Sequence, residues 1–178
     1  MLLQPVLLEA MMAGDYARAA ELGGFCITDD LRFSQHTLTR RLHQIRKDPT
    51  VQPWLLRAIV ERRSQTMCGR IGFHSAPGPA DLATIAPDGV ELGYEVHAPL
   101  RGQGFAKEAA MAMMFGAFHR QQQQCFIPSI SPQNEPSVAL ASSLRTEEIG
   151  SHIDDEDGLE LYFQRRFKSW PVEWTEAV

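Results

Sequence analysis

Two glycines and an arginine, Arg101-Gly102-Gln103-Gly104, stand between an alternating run and a helical run, and this junction constrains the fold most. Before it, "VELGYEVH" (90–97) places Leu92, Tyr94 and Val96 on one side and Glu91, Gly93 and Glu95 on the other, the period of a strand. After it, residues 104 to 118 put Ala106, Ala109, Ala110, Met113, Met114 and Ala117 on one side, the period of a half-buried helix. A strand passing through a glycine turn into a helix is an α/β element. The turn has two readings. It is either a tight corner with no ligand, or a nest of N–H groups for phosphate. The first amides of a helix have no intrahelical partner and carry the positive end of the macrodipole, and Arg101 adds a full charge.

The remaining segments predict a mixed sheet with helices around it. Leu3, Leu7, Leu8 and Met11 form an apolar stripe over residues 2 to 13. Asp15 is placed to cap a short second helix ending at Gly23-Gly24, and Leu31, Leu38, Leu42 and Ile45 recur at helical spacing up to Asp48-Pro49. "WLLRAIVE" (54–61) and "MCGRIGFH" (67–74) then predict an antiparallel hairpin, followed by a loop rich in Pro and Gly over 75–89. "CFIPSIS" (125–131) predicts a strand, and Pro128 inside it predicts a sheet edge or an irregularity. Pro136 suits the first turn of a helix reaching about Leu144. "EEIGSHI" and "LELYFQRRF" flank an acidic turn, Asp154 to Gly158, as a last hairpin. Gln121 to Gln124 is expected to be a solvated helix end.

Several function classes fall away. A net charge of −5 argues against nucleic-acid binding, which needs a basic face; the pairs Arg40-Arg41, Arg46-Lys47, Arg62-Arg63 and Arg165-Arg166 are expected on solvated surfaces. Cys26, Cys68 and Cys125 are odd in number and widely spaced, which predicts reduced thiols, with Cys125 buried rather than nucleophilic. The six histidines have no metal-ligand spacing, so no metal is expected, and no serine-hydrolase elbow is present. "MLLQPVLLEAMM" is too short to span a bilayer and carries Glu9. The expectation is a cytoplasmic protein without nucleic-acid or membrane partners, a monomer or homodimer, with residues 1–178 as one domain: 1–50 helical, 51–170 carrying the sheet.

Nucleotide fingerprints do not fit the turn. A Rossmann motif needs a third small residue where Lys107 stands and an acidic residue ending the next strand, which ends instead in Ser131-Pro132-Gln133-Asn134. A Walker A loop needs Gly-Lys-Ser/Thr. What "LGYEVHAPLRGQGFAKEAA" does resemble closely is the acetyl-CoA-binding motif of the GNAT acyltransferase superfamily, in the variant R-G-x-G-x-A from Arg101. "SISPQNEPSVALASSL" resembles the family's strand followed by N-x-x-S, carried by Asn134 and Ser137. The resemblance covers about residues 50 to 167 and is nearest the branch that includes the ribosomal-protein N-terminal acetyltransferases.

The resemblance implies an α/β fold, a mostly antiparallel mixed sheet with one splayed parallel strand pair (90–97 and 125–131), flanked by helices. It implies acetyl-CoA as co-substrate and a primary-amine acceptor, a protein N-terminus or a small amine. The backbone of Val96 and His97 would pair with the pantetheine arm. Amides of Gly102, Gln103, Gly104, Phe105 and Ala106 would cradle the pyrophosphate beside Arg101. Asn134 would bond the pantetheine, or serve as a turn residue before Pro136. Acceptor contacts would come from 25–50 and the loop 75–89. An amine must lose a proton to attack, so a base is needed. Glu91 is the candidate, with Glu95 or an ordered water next, while Tyr94 faces away and is expected in the core. Two departures stand out. Relatives usually continue with a leucine-glycine-aromatic sequence where this chain has Leu144-Arg145-Thr146, and many supply a tyrosine general acid that residues 138 to 144 lack. Ser142 and Ser143 are left as weak donors or exposed helix positions. The second reading is a non-catalytic acyl-CoA-binding or regulatory module.

Overall fold

The computed structural model describes residues 1–28, 31, 33–154 and 158–175. Among the described residues, six strands, β1 (Arg57–Glu61), β2 (Thr66–Phe73), β3 (Val90–Val96), β4 (Cys125–Ile130), β5 (Glu147–Asp154) and β6 (Gly158–Arg166), are hydrogen-bonded in the order β1-β2-β3-β4-β6-β5, mostly antiparallel, with β3 and β4 parallel. The chain forms two compact units, Met1–Gly72 with Tyr94–Phe105, and Phe73–Gly93 with Ala106–Val178.

The first unit begins with α1 (Pro5–Met12), which has proline in its first turn, where a missing N–H costs nothing, and buries Leu7, Leu8 and Met11. In α2 (Tyr16–Gly23) the Asp15 carboxylate accepts from the Arg18 N–H, and Gly24 ends the helix at φ +68°. α3 (Gln35–Lys47) is capped by the Ser34 hydroxyl, which accepts from the Thr37 N–H. Leu31 lies before this helix, so the helical spacing predicted from it starts too early. The hairpin of β1 (Arg57–Glu61) and β2 (Thr66–Phe73) is antiparallel as expected, with a register shift between Ile59 and Val60. Its first strand is shorter than predicted. Pro49 and Pro53 hold residues 49–54 in a 3-10 turn that takes Trp54 out of the strand. Leu3, Leu8, Met11, Phe25, Leu38, Leu55 and Met67 pack into this unit's core. The end of β3 (Val90–Val96) pairs with β2 here: the His97 N–H donates to the Cys68 carbonyl at 2.8 Å. A Cβ on Gly69 would lie 2.1 Å from the Glu95 carbonyl, so this approach requires glycine.

In the second unit, the start of β3 runs parallel to β4 (Cys125–Ile130) in the register Val90↔Phe126, Glu91↔Ile127, Leu92↔Pro128. β4 is a central strand, not an edge, because β6 (Gly158–Arg166) flanks its other side. Pro128 has no N–H for a ladder; the parallel register is described up to Leu92↔Pro128, and the β6 register is the same at Phe126↔Arg165 and at Ser129↔Tyr162. α4 (Phe105–Gln121) buries Ala110, Met111, Met113, Met114 and Ala117, while Ala106 and Ala109 are only half-buried. Phe126 stacks on Phe73 and meets Phe167 edge-on, with ring centroids 5.9 and 5.8 Å away. α5 (Glu135–Ser143) follows Asn134, and β5 (Glu147–Asp154) forms the last hairpin with β6. The acidic turn between them lies partly outside the described residues. A short α6 (Val172–Thr175) comes last.

One expectation about solvation is overturned. Gln123, in the glutamine run taken for a solvated helix end, is buried, and its Nε2 donates at 2.7 Å to the carbonyls of both Asp88 and Cys125. The amide thus fastens the approach to β3 onto the start of β4. A buried polar group is tolerated when its hydrogen bonds are made.

Candidate active site

The glycine turn is open and left-handed. Arg101 to Gly104 are exposed, Gly102 has φ +75° and Gly104 φ +87°, and a Cβ built on either meets nothing within 4 Å. The two readings of this turn are compatible. The backbone conformation itself requires glycine, and the space over both glycines is clear for a ligand. Phe105 opens α4 directly behind the turn, and Phe105 and Ala106 are half-buried. The Arg101 side chain turns back, Nε donating to the Val96 carbonyl at 2.9 Å. The His97 N–H is taken by Cys68 and its carbonyl by the Leu100 N–H, so its backbone serves β2 and the short turn over 98–100. Strand alternation points the Val96 N–H and C=O away from β2.

Asn134 is the N-cap of α5, its Oδ1 accepting from the Ser137 N–H at 3.3 Å. The N-x-x-S spacing is therefore a capping spacing. Ser142 and Ser143 are exposed, their hydroxyls donating to the Val138 and Leu140 carbonyls. Arg145, in the Leu144-Arg145-Thr146 segment, adopts φ +55°, so the turn into β5 is made by a left-handed arginine.

Glu91 belongs to a polar cluster assembled from several strands of the second unit. His74 follows β2 and sits opposite Glu91, its N–H donating to the Glu91 carbonyl at 2.8 Å. The side chains meet, with His74 Nδ1 3.2 Å from Glu91 Oε1. The Ser129 hydroxyl of β4 donates to the same carboxylate oxygen. Ser129 lies opposite Tyr162 of β6, whose ring stacks on His152 of β5 at 4.4 Å and an interplanar angle of 5°. His152 Nε2 lies 3.7 Å from Glu160 Oε2. Over this face, the 75–89 loop forms a 3-10 turn, Ala80–Leu82, and buries Leu82 and Ala86 against Cys125, Ile127 and Tyr162.

The electrostatics separate the members. Burial pushes the Glu91 carboxyl up, but hydrogen bonding and charge from His74, with the Ser129 hydroxyl and His152, outweigh it and hold the group below its usual 4.5. Glu91 is an anion at neutral pH. Burial, reinforced by Glu91, Asp81, Glu160 and Asp154, pushes the Tyr162 phenol up to about 12, so it stays protonated. Burial likewise raises the Cys125 thiol, in keeping with a packed rather than nucleophilic cysteine. Glu95 is exposed and paired with Arg70 at 2.8 Å. Tyr94, expected in the core, is half-buried. Sequence reasoning singled out Glu91 and missed His74, Ser129, Tyr162 and His152. The signal for His74 was available: it ends the predicted hairpin strand, and β2–β3 register places it across from Glu91.

A mixed sheet whose parallel pair leads through a glycine turn into a helix is an acetyltransferase architecture. The family model described as an acetyltransferase (GNAT) domain matches residues 8–147, and the chain belongs to that family, the GNAT acetyltransferases. No curated protein sequence matches it significantly. Among solved structures it is similar to a ribosomal-protein-S5-alanine acetyltransferase from Vibrio fischeri, at TM-score 0.62 and 13% identity, covering 96% of this chain and 93% of that one. An acetyltransferase of the GNAT family from Bacillus anthracis has TM-score 0.59 and 15% identity, with 93% and 92% covered. A mutant spermidine N-acetyltransferase from Vibrio cholerae has TM-score 0.60 and 10% identity, with 92% of each chain covered. At these identities the likeness is one of fold. Among the described residues no helix is long and apolar enough to cross a membrane.

Proposed function

We propose that this enzyme moves an acetyl group from acetyl-CoA to a primary amine by direct attack, the acceptor being a protein N-terminus or a small amine. The observation that carries the reading is the turn of Gly102 and Gly104, left-handed, exposed and clear of any atom that a Cβ would meet. The residues present fit the co-substrate. Amides from Gly102 to Ala106, at the start of α4, would hold its pyrophosphate with Arg101 supplying charge, and Val96 would offer strand-like hydrogen bonds to the pantetheine arm. Asn134 would reach the pantetheine through its amide nitrogen, since its oxygen caps α5; the pairing expected of His97 is corrected, because its N–H and carbonyl are taken by Cys68 and Leu100. Bound acetyl-CoA supplies an activated acyl carbon. The chain holds the reactants together and removes a proton, which is most of what amine acylation requires. Glu91 would accept that proton as the base.

The acceptor classes follow from similar proteins: one acts on a ribosomal protein's alanine and another on spermidine. The test is release of free thiol from acetyl-CoA with a panel of amines, namely peptides with a free N-terminal alanine or serine, and spermidine. Amine-dependent release supports the reading. Binding of acetyl-CoA without release with any amine would favour a non-catalytic module.

A further inference from the structure

We propose that the Glu91 face seats a polyamine: one amine meets Glu91, and a second ammonium is held by Glu160, Asp81 and the Tyr162 hydroxyl. The inference rests on the acetyl-transfer reading above and narrows its acceptor. Strand register builds the seat. Ser129 lies opposite Tyr162, His152 opposite Glu160, and Asp154 opposite Gly158. The two-residue period of a strand therefore turns Ser129, Tyr162, Glu160, His152 and Asp154 to one face of the sheet. Glu91 reaches the same face, where its carboxylate accepts from the Ser129 hydroxyl. Asp81 immediately precedes Leu82, which is buried in one cluster with Ile127 and Tyr162.

Two observations on this face point to a cation. Tyr162 is only 2% exposed, yet among the described residues its hydroxyl has no hydrogen-bond partner. A buried phenol ordinarily finds one, and this oxygen is free to accept from an ammonium. The charged groups acting on it are Glu91, Asp81, Glu160 and Asp154, all carboxylates. The negative field lies in a recess, since the Glu91 and Glu160 side chains are 14% and 16% exposed. Arg166 stands on the same face at the far end of β6, but the Asp88 carboxylate takes both of its terminal nitrogens at 2.6 and 2.7 Å. His74, 3.2 Å from Glu91, and His152, 3.7 Å from Glu160, add positive charge only when protonated. Glu91 on β3 and Glu160 on β6 are separated by β4, a span of about 10 Å over two strand spacings. A single ammonium cannot answer both carboxylates, whereas an extended polyamine can. A peptide N-terminus with no other cation leaves the Glu160 side of the recess unanswered.

Spermidine, n-butylamine and a peptide with a free N-terminal alanine and no other cation are titrated calorimetrically into the protein, with and without CoA. Thiol release from acetyl-CoA is followed with the same three. Spermidine is expected to bind at least about tenfold more tightly than either monoamine, and to lose affinity as salt rises. Glu160→Gln should weaken spermidine by about tenfold or more, and Tyr162→Phe and Asp81→Asn by about 2- to 5-fold, with n-butylamine unchanged. Asp81 is exposed, so its variant keeps the test decisive if Glu160→Gln does not fold. Equal affinity for spermidine and n-butylamine would overturn the proposal, as would spermidine binding that the folded variants retain in full. Thiol release with the peptide but not with spermidine would also overturn it, and would leave the acetyl-transfer reading standing. Preferential spermidine binding that the variants lose, with no thiol released by any amine, would support the seat and sink the reading alone.

Discussion

The glycine turn and the Glu91 face are built on opposite physical plans. At residues 101–104 the useful groups are backbone amides, the surface is exposed, and the device is the absence of side chains over φ +75° and +87° glycines. Around Glu91 the useful groups are side chains drawn from β3, β4, β5 and β6 and from His74. The Glu91 carboxylate is only 14% exposed and meets both His74 and the Ser129 hydroxyl. A backbone site is destroyed by adding atoms. A side-chain site is destroyed by removing them. Each plan would suit the task proposed for it, since a phosphate needs many equivalent donors without steric cover, whereas a proton needs one acceptor held in one state.

That difference can be broken first at the turn. Gly104→Val should abolish acetyl-CoA binding while the domain stays folded, because a β-branched side chain would stand over the amides and cannot adopt φ +87° without strain. The conformational cost is about 1–2 kcal/mol, to be read from the thermal midpoint beside affinity on the same preparation. If affinity survives, the glycine serves the turn alone.

At the other site, Glu91→Gln should keep acetyl-CoA affinity and lower turnover by about 10²-fold or more, since it removes the carboxylate proposed to take the proton. The same variant alters acid stability. A carboxylate held below 4.5 in the folded state contributes stability that is complete above its unfolded value and lost as pH falls through the lower folded one. Acid unfolding of the variant should lack that step. Equal turnover across a pH series would remove Glu91 from the chemistry.

The remaining two predictions concern stability alone. Gln123→Ala leaves the carbonyls of Asp88 and Cys125 without their shared donor, and should cost about 1–3 kcal/mol by denaturant unfolding while acetyl-CoA affinity is unchanged. Arg145→Gly relieves a left-handed arginine but gives up its contact with Glu173 at 3.1 Å, an exposed pair. A gain of up to about 1 kcal/mol is expected. A loss would mean that the pair matters more than the backbone.

The two sites also differ in how far the amino-acid sequence discloses them. The turn was legible because its parts are contiguous: Arg101 to Ala106 need only local backbone geometry to act together, and the flanking strand and helix announce themselves by period. Asn134 was legible as a position, and the structure shows it capping α5 through Oδ1. The Glu91 cluster was mostly hidden. His74, Ser129, His152 and Tyr162 are separated by up to 88 positions from the first to the last in the chain, and only strand register brings them to one face. Pro128 misled the placement of β4 because proline's usual exclusion from central strands was set against a position where the parallel register runs out. Gln123 was misjudged for a related reason: a glutamine beside three others gives no sign that two carbonyls converge on it.

The central claim is that the glycine turn is an acetyl-CoA site in an acetyltransferase. Calorimetric titration of the wild-type protein with acetyl-CoA, NAD and ATP under one set of conditions tests it most directly. Saturable heat is expected with acetyl-CoA, and no binding of comparable affinity by NAD or ATP. Tight binding of NAD with no heat from acetyl-CoA would contradict it.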